Sequence, residues 1–80
     1  YSDTKYREEM MFLKLNSLFL YAENSFAIRQ RERYQMTLDD YYSFMEEFPE
    51  SKFDKEVKKI YQDTARALKI EISETTANNQ

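Results

Sequence analysis

The chain contains no glycine, cysteine, histidine or tryptophan, and its single proline is Pro49. Each absence removes a class of protein. Glycine is the default residue for left-handed turns, bulges and phosphate-cradling loops, so a glycine-free chain is not expected to be a hairpin-rich β protein, a P-loop enzyme or a dinucleotide binder. Without cysteine or histidine there is no thiol nucleophile, no disulfide framework, no imidazole base and no zinc site of the usual kinds. No cofactor, metal or enzymatic activity is expected.

What is present points to one small helical domain. Over 80 residues, hydrophobic side chains make up 41% and charged ones 34%, too apolar for a disordered acidic tail and too polar for a bilayer. Seven Tyr and six Phe supply bulky core material. A net charge of -3 argues against a phosphate-backbone binder, which usually carries a basic surface. The most apolar stretch, 10–22, is interrupted by Lys14, Asn16 and Ser17 and is shorter than the ~20 residues needed to span a membrane. Residues 1–9 are polar and do not resemble a secretory signal.

Helical periodicity divides the chain into three long segments, about 5–23, 26–48 and 52–70. Ser2, Asp3 and Thr4 suit an N-cap for the first, and Glu8 and Glu9 place negative charge in its early turns. Its apolar residues form more than one stripe: Tyr6, Met10, Leu13 and Leu20 on one, Met11, Leu15, Leu18 and Ala22 on another. A helix apolar around most of its circumference is covered on more than one side, so this helix is expected at the centre. Asn24 is the available substitute for a left-handed C-cap glycine and Ser25 a candidate N-cap. In the second segment Tyr34, Leu38, Tyr41, Met45 and Phe48 step by four and three, with Thr37 and Phe44 beside them. Pro49 ends it, because the residue before a proline leaves the α region. Ser51 followed by Asp54 resembles a shortened capping box for the third. Residues 73–80 offer only Ala77 for burial and read as a polar C-terminal tail after a helical region spanning 1–72.

An offset of 47 residues superimposes the first segment on the third. Thr4-Lys5-Tyr6 falls on Ser51-Lys52-Phe53, Glu9-Met10 on Glu56-Val57, Leu13 on Ile60 and Ser17 on Thr64. That period lies in the range of helical solenoids built from hairpin units. Thr37, Tyr41 and Phe44, counted back from Pro49, occupy the small, aromatic, small positions that precede the closing proline of a tetratricopeptide unit, although Phe44 is larger than usual. Ser17 takes the small packing position of the first helix, between Leu13 and Leu20. The expected fold class is therefore all-α, a fragment of a tetratricopeptide-like α-solenoid. Its repeat-packing residues are Leu13, Ser17, Leu20, Thr37, Tyr41, Phe44, Phe48, Pro49, Val57, Ile60 and Thr64.

Glu32-Arg33-Tyr34-Gln35, Tyr41-Tyr42-Ser43-Phe44, Glu47-Phe48-Pro49-Glu50-Ser51-Lys52, Lys55-Glu56 and Lys59-Ile60-Tyr61 together carry a family resemblance. Read from about Tyr6 to Leu68, the chain resembles the C-terminal repeats of the BamD family, the tetratricopeptide-repeat lipoproteins of the outer-membrane β-barrel assembly machinery. The resemblance implies a non-enzymatic protein–protein interaction scaffold on the periplasmic face of the outer membrane, held by a lipidated cysteine upstream of this region. It implies as partners a BamA-like barrel assembly subunit, other assembly lipoproteins and unfolded outer-membrane proteins. It supplies a role and no contact residue. Two other readings remain: a self-contained three-helix structural or oligomerisation module, and a generic tetratricopeptide adaptor.

The charged residues set out no catalytic apparatus. Glu8-Glu9, Asp39-Asp40 and Glu46-Glu47 are adjacent acids, and neighbours on a helix point about 100° apart, so no pair converges on one atom. Glu46 and Glu47 end the second segment while Lys52 and Lys55 begin the third, each the unfavourable sign for its helix end by roughly 0.3 to 1 kcal/mol. They are expected to offset each other across the Pro49 turn, or to leave Lys55 and Lys58 for a partner. Arg29, Arg31 and Arg33 form the densest basic run. Arginine captures carboxylates bidentately, so Arg29, Arg33 and Tyr34 are the candidate partner-binding residues beside Lys55 and Lys58. One and a half repeats leave apolar flanks unshared, which predicts self-association or marginal stability of the isolated fragment.

Overall fold

The computed structural model describes the backbone of residues 2–78 and the side chains of residues 4–69. Within them the chain is all-helical, with α1 (Ser2–Glu23), α2 (Ala27–Glu47) and α3 (Asp54–Asn78), and no strand. α3 continues past residue 70 into the segment expected to be a polar tail. A nucleated helix extends at little cost where no proline or glycine stops it, and none follows Pro49. Side chains beyond residue 69 lie outside the described residues.

All three helix pairs touch, most extensively α1 with α2, then α2 with α3, and least α1 with α3. The shared helix is thus α2 rather than α1. Its buried residues Tyr34, Thr37, Tyr41 and Phe44 meet Leu15, Phe19 and Ala22 from α1 and Val57, Ile60 and Thr64 from α3. Full burial of a side chain of the Leu, Val or Phe kind contributes about 1.5–3 kcal/mol. Phe44, Leu15 and Val57 are the largest fully buried apolar side chains. Aromatic pairs tie the helices at three places: Phe19 with Tyr34 between α1 and α2, Tyr41 stacked on Tyr61 at 4.6 Å between α2 and α3, and Phe12 stacked on Phe53 at 4.3 Å between α1 and the start of α3.

The turns do without glycine by using side chains. No described residue has positive φ, so Asn24 is not a left-handed cap. Instead its Nδ2 donates to the Leu20 carbonyl at 2.8 Å, Ser25 Oγ donates to Tyr21 at 2.6 Å, and Gln30 Nε2 reaches Ala22 and Glu23 at 3.2 and 3.3 Å. These four residues carry the carbonyls that a helix end leaves without intrahelical partners. Ser25 therefore closes α1 rather than capping α2, whose N-cap is Phe26 with no side-chain bond. Around Pro49, Ser51 N–H donates to the Phe48 carbonyl at 3.2 Å, and Ser51 Oγ accepts from the Phe53 N–H at 3.0 Å, which braces the turn before α3. The capping box expected of Ser51 and Asp54 does not form: the Asp54 N–H bonds the Ser51 backbone carbonyl at 3.1 Å, and the Asp54 carboxylate pairs with Lys58.

Of the expected packing residues, Thr37, Tyr41, Phe44, Val57, Ile60 and Thr64 are buried and Phe48 is half-buried. Leu13, Ser17, Leu20 and Pro49 are exposed. On α1 the stripe containing Leu15, Phe19 and Ala22 turns inward, because it carries the aromatic that meets Tyr34 and an alanine small enough for close approach of α2. Leu15 is 0% exposed and Leu13 48%.

Candidate functional site

The outward face of α1 bears a continuous apolar stripe. Tyr6, Met10, Leu13 and Leu20 are all exposed, spaced by four and three residues around Ser17, with exposed Tyr21 beside them. A stripe of this spacing is one helix face along about four turns. Contiguous exposed apolar surface rimmed by polar residues marks an interaction site more often than a scattered leucine does. Both rims are polar at heptad spacing: Glu9, Asn16 and Glu23 on one, Arg7 and Lys14 on the other. Phe26 and Ile28, at 84% and 89% exposure, add a second apolar spot at the α1–α2 turn.

Three long-range polar contacts set the rotation of α1. Arg7 forms a two-point contact with the Glu47 carboxylate, its Nη2 at 3.0 Å from Oε1. Lys14 Nζ lies 3.3 Å from Asp40 Oδ1, and Glu8 accepts from Ser51 Oγ and from the Lys52 backbone N–H. The hydrogen bond from Arg7 holds the Glu47 carboxyl below its ordinary value of 4.5 and raises the Arg7 guanidinium in return. Residues some forty positions apart carry no local sequence signal for such pairing. Glu47 is therefore neutralised by α1, not by Lys52 or Lys55 across the Pro49 turn as the sequence suggested. Lys52 sits over the Phe53 ring at 5.3 Å.

The candidate trio Arg29, Arg33 and Tyr34 does not form one surface. Arg29 is exposed and lies 3.6 Å from Glu32. Arg33 stacks over the Tyr21 ring at 4.2 Å and donates to Ser25 Oγ at 2.7 Å, which braces the α1–α2 turn. Tyr34 is core, only 9% exposed, and burial pushes its hydroxyl above the ordinary value. Arginine and tyrosine at that spacing look the same in sequence whether they meet a partner or the neighbouring helix.

Lys55 and Lys58 do share a surface. They line a shallow groove on α3 with Lys59, Gln62 and Arg66, together with Asp54 and Asp63. Lys58 pairs with Asp54 at 3.0 Å, and Asp63 lies 3.3 Å from Lys59 and 3.7 Å from Arg66. Lys52, Lys55, Lys59, Arg66 and Lys69 are all exposed and make this outer ridge basic. On the other side of α3, Tyr41, Tyr42 and Tyr61 cluster, with Tyr42 and Tyr61 rings 6.2 Å apart. Burial raises the Tyr41 hydroxyl, and hydrogen bonding with Tyr61 raises that of Tyr42.

Among the described residues no group of three or more acidic side chains is placed to hold a metal ion, and no helix is long and apolar enough to cross a membrane. The described surface presents an apolar helix face on α1 and a basic ridge on α3. No protein-family model, no curated protein and no solved structure matches the chain.

Proposed function

We propose that the chain is a protein–protein interaction scaffold whose docking face is the outward stripe of α1. One observation carries the reading. At an offset of 47 residues, Val57, Ile60 and Thr64 of α3 are buried against a helical hairpin, while their counterparts Met10, Leu13 and Ser17 of α1 are uncovered. Residues of one type and spacing that pack onto helices in one place are suited to pack onto helices in the other. Repeat proteins stack in this way, each unit burying the face its neighbour exposes.

The resemblance over Arg33 to Tyr61 extends the proposal to a narrower role. In that role the scaffold serves outer-membrane β-barrel assembly at the periplasmic face, with a BamA-like subunit and other assembly lipoproteins as partners. The test is a double variant of the intact protein, Leu13→Glu with Leu20→Glu. Both residues are exposed, so helix content by circular dichroism is expected to hold while co-purifying proteins are lost. An unchanged set of partners discards the α1 face as the docking surface. A lost set without a barrel-assembly subunit keeps the scaffold and discards the narrower role.

A further inference from the structure

The stripe on α1 has the 4-3-4-3 spacing of a coiled-coil seam rather than the broader band of an ordinary core helix. Tyr6, Met10, Leu13, Ser17 and Leu20 are its seam positions, and all are exposed. Resting on the reading of this face as a docking surface, we infer that its partner is the α1 of a second copy of the chain, packed in parallel across a two-fold axis.

The rims choose both the occupant and its direction. When two identical helices pack in parallel, the residue before a seam layer on one helix faces the residue five positions later on the other. Glu9 then meets Lys14 of the second copy, and the two-fold axis makes that pair twice. Asn16 meets Tyr21, an uncharged pair with hydrogen-bonding groups on both sides. Packed antiparallel, each rim meets itself: Glu9 comes beside Glu23, and Lys14 beside Lys14. Like charges in those places disfavour the antiparallel form. Lys14 stays exposed although it contacts Asp40, so it can bridge Asp40 of its own chain and Glu9 of the other. Ser17 is the one small polar residue within the seam. In the parallel register it lies opposite itself, where a short side chain permits close approach, whereas antiparallel packing sets it against Leu13.

A single-helix seam buries less than the standard protein interface of about 1,600 Å². The dimer is accordingly a weak one, in exchange with monomer, and is weakened by salt.

The chain has no cysteine, so one introduced thiol reports on register without interference. Ser17→Cys is expected to give a covalent dimer on mild oxidation of the folded chain, because parallel packing brings the two Cα atoms within disulfide reach. Gln62→Cys, on the outer ridge of α3, is expected to give none and controls for random collision. Sedimentation of the unmodified chain from micromolar to millimolar concentration should show reversible dimerisation. Glu9→Lys, which sets like charges together in the parallel register, is expected to weaken it about tenfold, whereas antiparallel packing, which brings Glu9 beside Glu23, would be strengthened by it.

A dimer without Ser17→Cys cross-linking, or one that Glu9→Lys does not weaken, overturns the parallel seam. A chain that stays monomeric at millimolar concentration overturns the second copy as occupant. If Leu13→Glu with Leu20→Glu nevertheless releases partners from the intact protein, the docking face stands and only its occupant changes. If that variant releases nothing, the docking face falls as well.

Discussion

α1 and α3 begin with matched residues and end in opposite environments. Met10, Leu13 and Ser17 face solvent, while Val57, Ile60 and Thr64, 47 residues later, sit at or near zero exposure. The difference does not come from residue type. It comes from what each helix has beside it: α3 turns this stripe toward α2 and α1, whereas α1 turns a different one, Leu15, Phe19 and Ala22, toward α2 and α3. A helix with two apolar stripes has a choice of faces, and the leftover stripe becomes a surface available for binding.

The comparison breaks most directly through paired truncations. Ile60→Ala is expected to cost about 2–5 kcal/mol, while Leu13→Ala, at an exposed position, should stay within about 0.5 kcal/mol in the monomer. Urea unfolding at low concentration measures both. Equal losses would mean that the α1 stripe is covered within the chain itself.

A smaller effect sharpens the pair Ser17 and Thr64. The Thr64 hydroxyl is fully buried without a hydrogen-bond partner, unlike Thr37, whose hydroxyl donates to the Arg33 carbonyl at 3.1 Å. Replacing an unpaired buried hydroxyl with a methyl removes a desolvation cost. Thr64→Val is therefore expected to raise stability by about 1 kcal/mol, seen as a higher melting temperature, with Ser17→Val leaving the monomer unchanged. A destabilising Thr64→Val would show that the hydroxyl has a partner, such as a buried water.

Two pH effects follow, the alkaline one larger because more groups share it. Burial raises the hydroxyls of Tyr34 and Tyr41, and hydrogen bonding with Tyr61 raises that of Tyr42. A group that holds its proton more tightly when folded contributes stability below its unfolded value and loses it as pH rises through the folded one. Stability should therefore hold to about pH 10 and fall above it, and Tyr41→Phe should flatten that fall.

Glu47 acts on the acid side with the opposite sign. Its carboxyl is held below 4.5 by Arg7, so its contribution is present above that value and fades as pH drops through the lower folded one. Arg7→Met is expected to remove this part of the acid dependence. Because the pair is exposed, the effect is the smallest of the set and is screened by salt. An unchanged acid limb would mean that Arg7 has no part in setting the rotation of α1.

Much of this was legible beforehand in particular residues. The four-three stepping of Tyr34, Tyr41, Phe44 and their neighbours marked the inward face of α2, and Phe48-Pro49 marked its end. Ser51 marked the turn before α3, although its hydroxyl serves the Phe53 N–H inside that turn and not the Asp54 N–H of a capping box. Less legible were Arg33 and Tyr34, read as a partner site and found bracing the turn and filling the core. The interactions that decided their fate, with Tyr21, Ser25 and Phe19, cross between helices. The absent glycine was itself a clue. It required turns made by side chains, although the use of Gln30 to cover the last carbonyls of α1 could not be inferred from its place inside the next helix.

The sequence by itself determined that this chain is three helices joined by two tight, glycine-free turns, because helical periodicity and proline placement act over a few residues. Only the tertiary structure decided which of α1's two apolar stripes is core and which is surface. Periodicity marks both equally. The choice rests on Phe12 against Phe53, Arg7 against Glu47 and Lys14 against Asp40, contacts between residues 26 to 41 positions apart that exist only once the helices have packed.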